Sequence, residues 1–318
     1  MATYKEIHGT NIEVVSSDPS NPVEGQIWYN TTSNTVKGFI ISTGSWATGG
    51  SLNSARKKLA GAGTNTAALA FGGDPSPNIA VTETYNGSAW TSVNPLTTGR
   101  VGLGGAGTNT AALAVGGNAD PPVSNKTESW NGTNWTEVGT MATARYNLNA
   151  TGSTNTAVLA FGGDAGGEVA VTESWNGSNW TTVNDMTAAR QSRGAAGTNT
   201  AALAFGGTPD TAQTELWNGT NWTVVSPLNT SRERLGGAGT QTSALAFGGS
   251  PPQTAITETW NGTNWTEVGD MGTARYDLGS PAGGSPSPTA LAFGGAFPIT
   301  GATEEFNAGP TTVSFTVS

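Results

Sequence analysis

The segment TESWNGTNWTEVGTMATAR at residues 127–145 returns as TESWNGSNWTTVNDMTAAR at 172–190, TELWNGTNWTVVSPLNTSR at 214–232 and TETWNGTNWTEVGDMGTAR at 257–275. A weaker copy, TETYNGSAWTSVNPLTTGR, covers 82–100. Recurring sequence implies a recurring structural unit that buries its apolar faces against its neighbours. A second landmark, a glycine doublet after an apolar residue, lies between the copies. Its first glycines are Gly72, Gly116, Gly162, Gly206, Gly248 and Gly294, spaced 44, 46, 44, 42 and 46 residues apart. There are six units.

Each unit reads as four short strands. In the unit following Arg190, a small-residue strand covers roughly Ser192 to Ala196 and a G-T-N-T turn follows at 197–200. AALAF at 201–205 lacks polar alternation, as expected for a strand covered on both faces. Gly206-Gly207 ends it. A third strand runs from Gln213 to Trp217, and a fourth from Trp222 to Val225. Asn218-Gly219 between them allows the positive φ of a tight hairpin. The 46 glycines carry no G-X-Y period, so they serve turns rather than a collagen helix. Four strands repeated six times predict an all-β protein, a β-propeller of six four-stranded blades.

In such a fold the paired tryptophans flank the hairpin and pack across the seams between blades. Aromatic rings bury roughly 150–250 Å² each, enough for six sets to hold a ring together. The recurring Glu83, Glu128, Glu173, Glu215, Glu258 and Glu304, and the recurring Arg56, Arg100, Arg145, Arg190, Arg232 and Arg275, read as partners between strands or blades rather than catalytic groups. First strands such as LAGAG at 59–63 and LGGAG at 103–107 are small enough for close approach at an axis. They predict a narrow channel and no cofactor.

A glycine doublet closing the second strand, then an aromatic residue, then a Trp opening the fourth, resembles the kelch repeat over residues 56 to about 307. The period is shorter than the ~50 residues usual for kelch. Absence of W-D and of a recurring G-H disfavours WD40 blades. PSNPVEGQIWYNTTSNTVKGF at 19–39 is similar to a short element of bacteriophage tail-fibre and other virion proteins. The two together resemble kelch-like proteins of marine phages. The resemblance implies a virion component: residues 1–35 as an attachment segment and 36–318 as the propeller. It also implies other virion proteins as partners and a homo-oligomer in the particle.

Ring closure is the remaining fold question, because an open edge strand invites aggregation. The last copy, TEEFNAGPTTVSF, has no second Trp, whereas Trp46 stands ten residues before Arg56, as Trp90 stands before Arg100 and Trp135 before Arg145. With Trp46 counted, Trp46, Trp90, Trp135, Trp180, Trp222 and Trp265 give one fourth strand per glycine doublet. Residues around Trp46 to Thr48 are expected to complete the C-terminal blade. Residues 311–318 compete for that place or add beside it. A seven-bladed ring, counting the N-terminal hairpin, is the alternative.

The loops sort onto two faces. The one–two and three–four turns hardly vary. The two–three and four–one connections share the other face and differ in every unit. Diversity confined to one face of a rigid scaffold suits recognition, although loops also vary where nothing constrains them. Lys57, Lys58, Tyr146, Gln191, Glu233, Arg234, Tyr276 and Asp277 follow the unit arginines and are the candidate ligand-binding residues. Tyr, charged and amide side chains there suit a host-surface glycan or protein.

Other chemistry finds little support. A net charge of −9 with 13 Lys plus Arg argues against nucleic acid. With no cysteine and one histidine, His8, there is no basis for a kelch-type copper oxidase, a serine triad or a zinc site. Loop oxygens of Asp74, Asp120 and Asp210 are a weak calcium option. The sequons at Asn131 and Asn218 read as turn chemistry. No apolar run approaches the ~20 residues of a membrane helix, and no secretory signal is expected. The expected protein is a non-enzymatic virion component of the tail or surface. Capsid decoration without receptor contact and a polysaccharide-degrading enzyme are the alternatives.

Overall fold

A computed structural model describes residues 12–20, 26–41, 44–75, 77–119, 122–192, 194–281, 289–308 and 310–315. These residues contain strands and no helix. They fall into two compact units, residues 45–307 and residues 1–44 with 308–318.

The larger unit holds five four-stranded antiparallel sheets and one three-stranded sheet, a propeller-like arrangement. One sheet consists of Gly194–Gly197, Ala202–Phe205, Thr214–Trp217 and Trp222–Val225. The first strand starts two residues later than the sequence suggests. Ser192 has φ 53°, a left-handed conformation outside the β region. The first two strands are buried throughout, whereas Thr223 and Val224 of the fourth are exposed. Trp217 and Trp222 face each other across the hairpin. Its loop is held by Asn218, whose Oδ1 accepts from the amides of Thr220 (3.0 Å) and Asn221 (2.8 Å). Asn131 does the same for Thr133 and Asn134, both at 2.9 Å.

Three sets of contacts tie each sheet to the next. In the first, the fourth-strand indole donates to a threonine hydroxyl in the third strand of the preceding sheet. The pairs are Trp135 to Thr82 (3.0 Å), Trp180 to Thr127 (2.8 Å), Trp222 to Thr172 (3.0 Å) and Trp265 to Thr214 (3.1 Å). Trp46 to Thr257 and Trp90 to Thr303, both 2.9 Å, bring the set to six. Five of these rings pack on the preceding sheet's second-strand phenylalanine, as Trp222 does on Phe161 at 4.9 Å, and at the Trp180 seam that position is Val115.

In the second set, the glycine doublet grips the following unit. Gly73 donates its amide to Arg100 O (2.8 Å), and the bond recurs through to Gly295 and Arg56 O (2.9 Å). Gly72 has φ 69°, and a Cβ there would lie 2.7 Å from Arg100 O. Left-handed backbone and close approach together require glycine.

The third set is a ring of buried ion pairs between the segment entering each sheet and that sheet's third strand. Arg100–Glu128 (2.7 Å), Arg145–Glu173 (3.2 Å), Arg190–Glu215 (2.6 Å), Arg232–Glu258 (3.0 Å) and Arg275–Glu304 (2.8 Å) belong to it, and Arg56–Glu83 is the sixth. Desolvation lowers each guanidinium pKa, that of Arg145 to about 10, while its carboxylate partner opposes the shift. The second carboxylate oxygen caps the entering loop, as Glu128 Oε2 does for Thr97 N at 2.7 Å.

The three-stranded sheet runs Thr289–Phe293, Thr303–Asn307, Ser45–Gly49, with Trp46 opposite Phe306. An isolated bridge between Gly279 and Phe293 lies on its inner side. Strand Ser45–Gly49 therefore takes the outer place in the sheet built from the C-terminal unit.

The smaller unit pairs Glu13–Val15 with Ile27–Asn30 in parallel, and then Thr35–Ile41 and Pro310–Phe315 antiparallel. The division expected after residue 35 thus lies at 44/45. Thr35–Ile41 is hydrogen-bonded on both sides within this sheet, and residues 310–315 add to it rather than to the repeat. Trp28 is fully buried, and its indole (3.0 Å) and the Asn30 amide (2.7 Å) both donate to Asp18 Oδ1. Lys37 pairs with Asp18 Oδ2 at 2.8 Å. These bonds, with Lys37 the largest cause, lower the Asp18 pKa to about 2.

Candidate recognition site

The second residue after each unit arginine occupies one place in the fold. Lys58, Gly102, Asn147, Ser192, Arg234 and Asp277 are left-handed, with φ of 52, 63, 49, 53, 58 and 54°. Their main chains form a closed cycle. Lys58 N donates to Asp277 O (2.7 Å), Gly102 N to Lys58 O (2.9 Å) and Asn147 N to Gly102 O (2.6 Å). Ser192 N donates to Asn147 O (3.0 Å), Arg234 N to Ser192 O (2.5 Å) and Asp277 N to Arg234 O (2.9 Å). All six residues line a cavity of about 110 Å³, walled below by small first-strand residues such as Gly61, Gly105 and Ala195.

Five of the candidate side chains stand one residue earlier. Lys57, Tyr146, Gln191, Glu233 and Tyr276 bridge to Asp74, Asp164, Thr208, Ser250 and Ala296, the residues after the glycine doublets. Around Tyr146, the hydroxyl donates to Asp164 Oδ2 (3.1 Å), and Gln191 Nε2 reaches Asp164 Oδ2 (3.3 Å) and Glu168 Oε1 (3.1 Å). Asn147 Nδ2 closes this group on Gln191 Oε1 at 2.8 Å. Burial, then Asp164, raise the Tyr146 pKa. In a second group, Arg234 Nε pairs with Glu233 Oε1 at 3.1 Å and its guanidinium lies 5.8 Å from the Tyr276 ring centroid. The Thr208 hydroxyl donates to Glu233 Oε2. Lys57 pairs with Asp74 at 3.5 Å.

Lys58, Arg234 and Asp277 line the cavity, with Asp277 between the two cations. Burial raises the Asp277 pKa, and Lys58 and Arg234 are the leading opposing influences. Sequence reasoning passed over Asn147 and Ser192, which share the position of Lys58 but carry smaller, uncharged groups. Their offset from the unit arginine was the available signal. Asp164 and Glu168 lay in a variable loop without a periodic mark. Among the described residues no three His, Asp or Glu gather as metal ligands. Asp74 faces Lys57, Asp210 bonds Ser231 at 3.3 Å, and Asp120 lies outside the described residues. His8 does too.

No protein-family model matches the chain, and a search of curated proteins finds no match. Among the described residues no helix is long and apolar enough to cross a membrane.

Proposed function

We propose that the chain is a six-bladed kelch-like propeller serving as a non-enzymatic structural protein of a bacteriophage virion, associated with the tail or its fibres. Its variable face recognises a glycan or protein on the host surface, and the smaller unit attaches it to other virion proteins. Six blades are favoured over seven because the tryptophan–threonine, glycine–arginine and cavity-rim bonds each count six and return to their start. The virion reading draws on the tail-fibre-like element that contains Trp28 and Asn30.

The observation that carries recognition is the rim itself. Six equivalent positions share one backbone conformation and one hydrogen-bond cycle, yet hold Lys, Gly, Asn, Ser, Arg and Asp. A scaffold fixed by main chain with side chains free to differ suits binding. Immunogold electron microscopy of the phage encoding the chain, with antibody to residues 45–307, tests the reading. Label at the tail or fibre tips is expected. Label spread over the capsid would favour decoration. No label on intact particles, with a positive control present, would overturn the virion assignment.

A further inference from the structure

The cavity rim has no main-chain donors to offer a ligand. Each of its six amides is already bonded to the carbonyl of the neighbouring residue. What enters must be held by side chains. Six-fold order then fixes which side chains oppose each other: Asp277 stands across from Asn147, Lys58 across from Ser192, and Arg234 across from Gly102. One half of the rim is charged, and the other is neutral, with Asn147 and Ser192 polar and Gly102 without a side chain.

The charges are largely committed. Lys57 is taken by Asp74, and Arg234 by Glu233 and the Tyr276 face. The Lys58 ammonium and the Asp277 carboxylate remain, coupled electrostatically and both facing the cavity. Among the described residues no side chain or amide donates a hydrogen bond to the half-buried Asp277 carboxylate, which is costly, so a ligand that donates to it is favoured. An anion would satisfy Lys58 but oppose Asp277, and a cation the reverse. Hydroxyl groups donate and accept, so adjacent hydroxyls satisfy both without adding charge. Asn147 and Ser192 add an amide and a hydroxyl of the same hydrogen-bonding kind. The cavity volume of about 110 Å³ is below the roughly 300–1,000 Å³ of whole-ligand pockets, so it admits the end of a molecule.

We propose that this cavity binds the terminal hydroxyls of a neutral sugar. Asp277 accepts from two adjacent hydroxyls, and Lys58 and Ser192 contact the same groups from opposite sides. The inference rests on the recognition reading above and names the ligand class of that same face.

The test is ligand-observed NMR and calorimetry on the full chain with glucose, galactose and mannose, against glucuronate and glycine. At least one neutral hexose is expected to bind saturably, with glucuronate and glycine at least tenfold weaker. Asp277→Asn and Lys58→Asn should each weaken hexose binding at least tenfold. Asn accepts left-handed φ, so both variants should keep the wild-type melting curve. Absence of hexose binding would overturn the proposal. So would hexose binding unchanged in both variants, or tighter binding of glucuronate or glycine. Hexose binding at the rim by a protein that labels no particle would keep this site and remove the virion reading. Tail label without hexose binding would do the opposite.

Discussion

Trp90 donates its indole N–H to the Thr303 hydroxyl at 2.9 Å, across 213 residues of sequence. The Trp90 ring also packs on Phe293 at 5.0 Å. The first complete sheet is therefore joined to the sheet that holds the C-terminal unit, by the contact used at every other seam. Thr303→Val should leave the buried indole N–H unpaired and cost about 1–3 kcal/mol. Thr172→Val, at the Trp222 seam, should cost a similar amount. Urea unfolding of both variants checks the comparison, and a markedly smaller loss for Thr303→Val would show the terminal seam to be weaker than the rest.

The buried ion pairs predict an asymmetry between single and double replacement. Glu173→Leu leaves the Arg145 guanidinium buried without its carboxylate and removes the cap on Ala142 N (2.7 Å). A loss of about 3–5 kcal/mol is expected. Adding Arg145→Met should recover part of that loss, because no uncompensated charge then remains. Denaturant unfolding of the two variants measures the difference.

Asp18 sets an acid limit on the smaller unit. Its folded pKa, about 2, lies below the ordinary aspartate value of 3.8. Its stabilising contribution is thus complete above pH 3.8 and falls away as pH drops towards 2. Carboxyl NMR titration should find a midpoint near 2. Asp18→Asn should flatten the pH dependence of this unit's unfolding between those limits.

Tyr146→Ala together with Tyr276→Ala tests the variable face as a whole. Both rings are half-buried, and neither belongs to the seams. Attachment to host cells should fall about tenfold or more, as for aromatic anchors elsewhere. The melting curve and incorporation into particles should stay close to wild type. Unchanged attachment would remove these residues from the binding surface.

Sequence carried the repeat far because its marks are local. The offset of ten residues from Trp46 to Arg56 equals that from Trp90 to Arg100, and it points to a fourth strand around Trp46 to Thr48, where the strand Ser45–Gly49 lies. Residues 36–41, expected in the propeller, instead lie with Thr35 in the strand Thr35–Ile41 of the smaller unit, for the opposite reason. Its partner, Pro310–Phe315, lies at the other end of the chain, and no local pattern records so distant a pairing. The rim was only half legible. Gly102, Asn147 and Asp277 are residue types that tolerate positive φ, but Lys58 and Arg234 hide the same conformation behind ordinary side chains. Chemical type drew attention to Lys58, Arg234 and Asp277, while the shared backbone state that also includes Asn147 and Ser192 became visible only in three dimensions.

The main-chain cycle around the cavity has a practical consequence. Its bonds run from amide to carbonyl and ask little of five of the six side chains beyond tolerance of left-handed φ, whereas a Cβ at Gly102 would lie 2.5 Å from Asn147 Oδ1. A library randomised at the five codons other than that of Gly102 to Asn, Asp, Gly, Ser, Lys and Arg should yield mostly folded members. Selection from such a library would then change what the protein captures while its architecture stays the same.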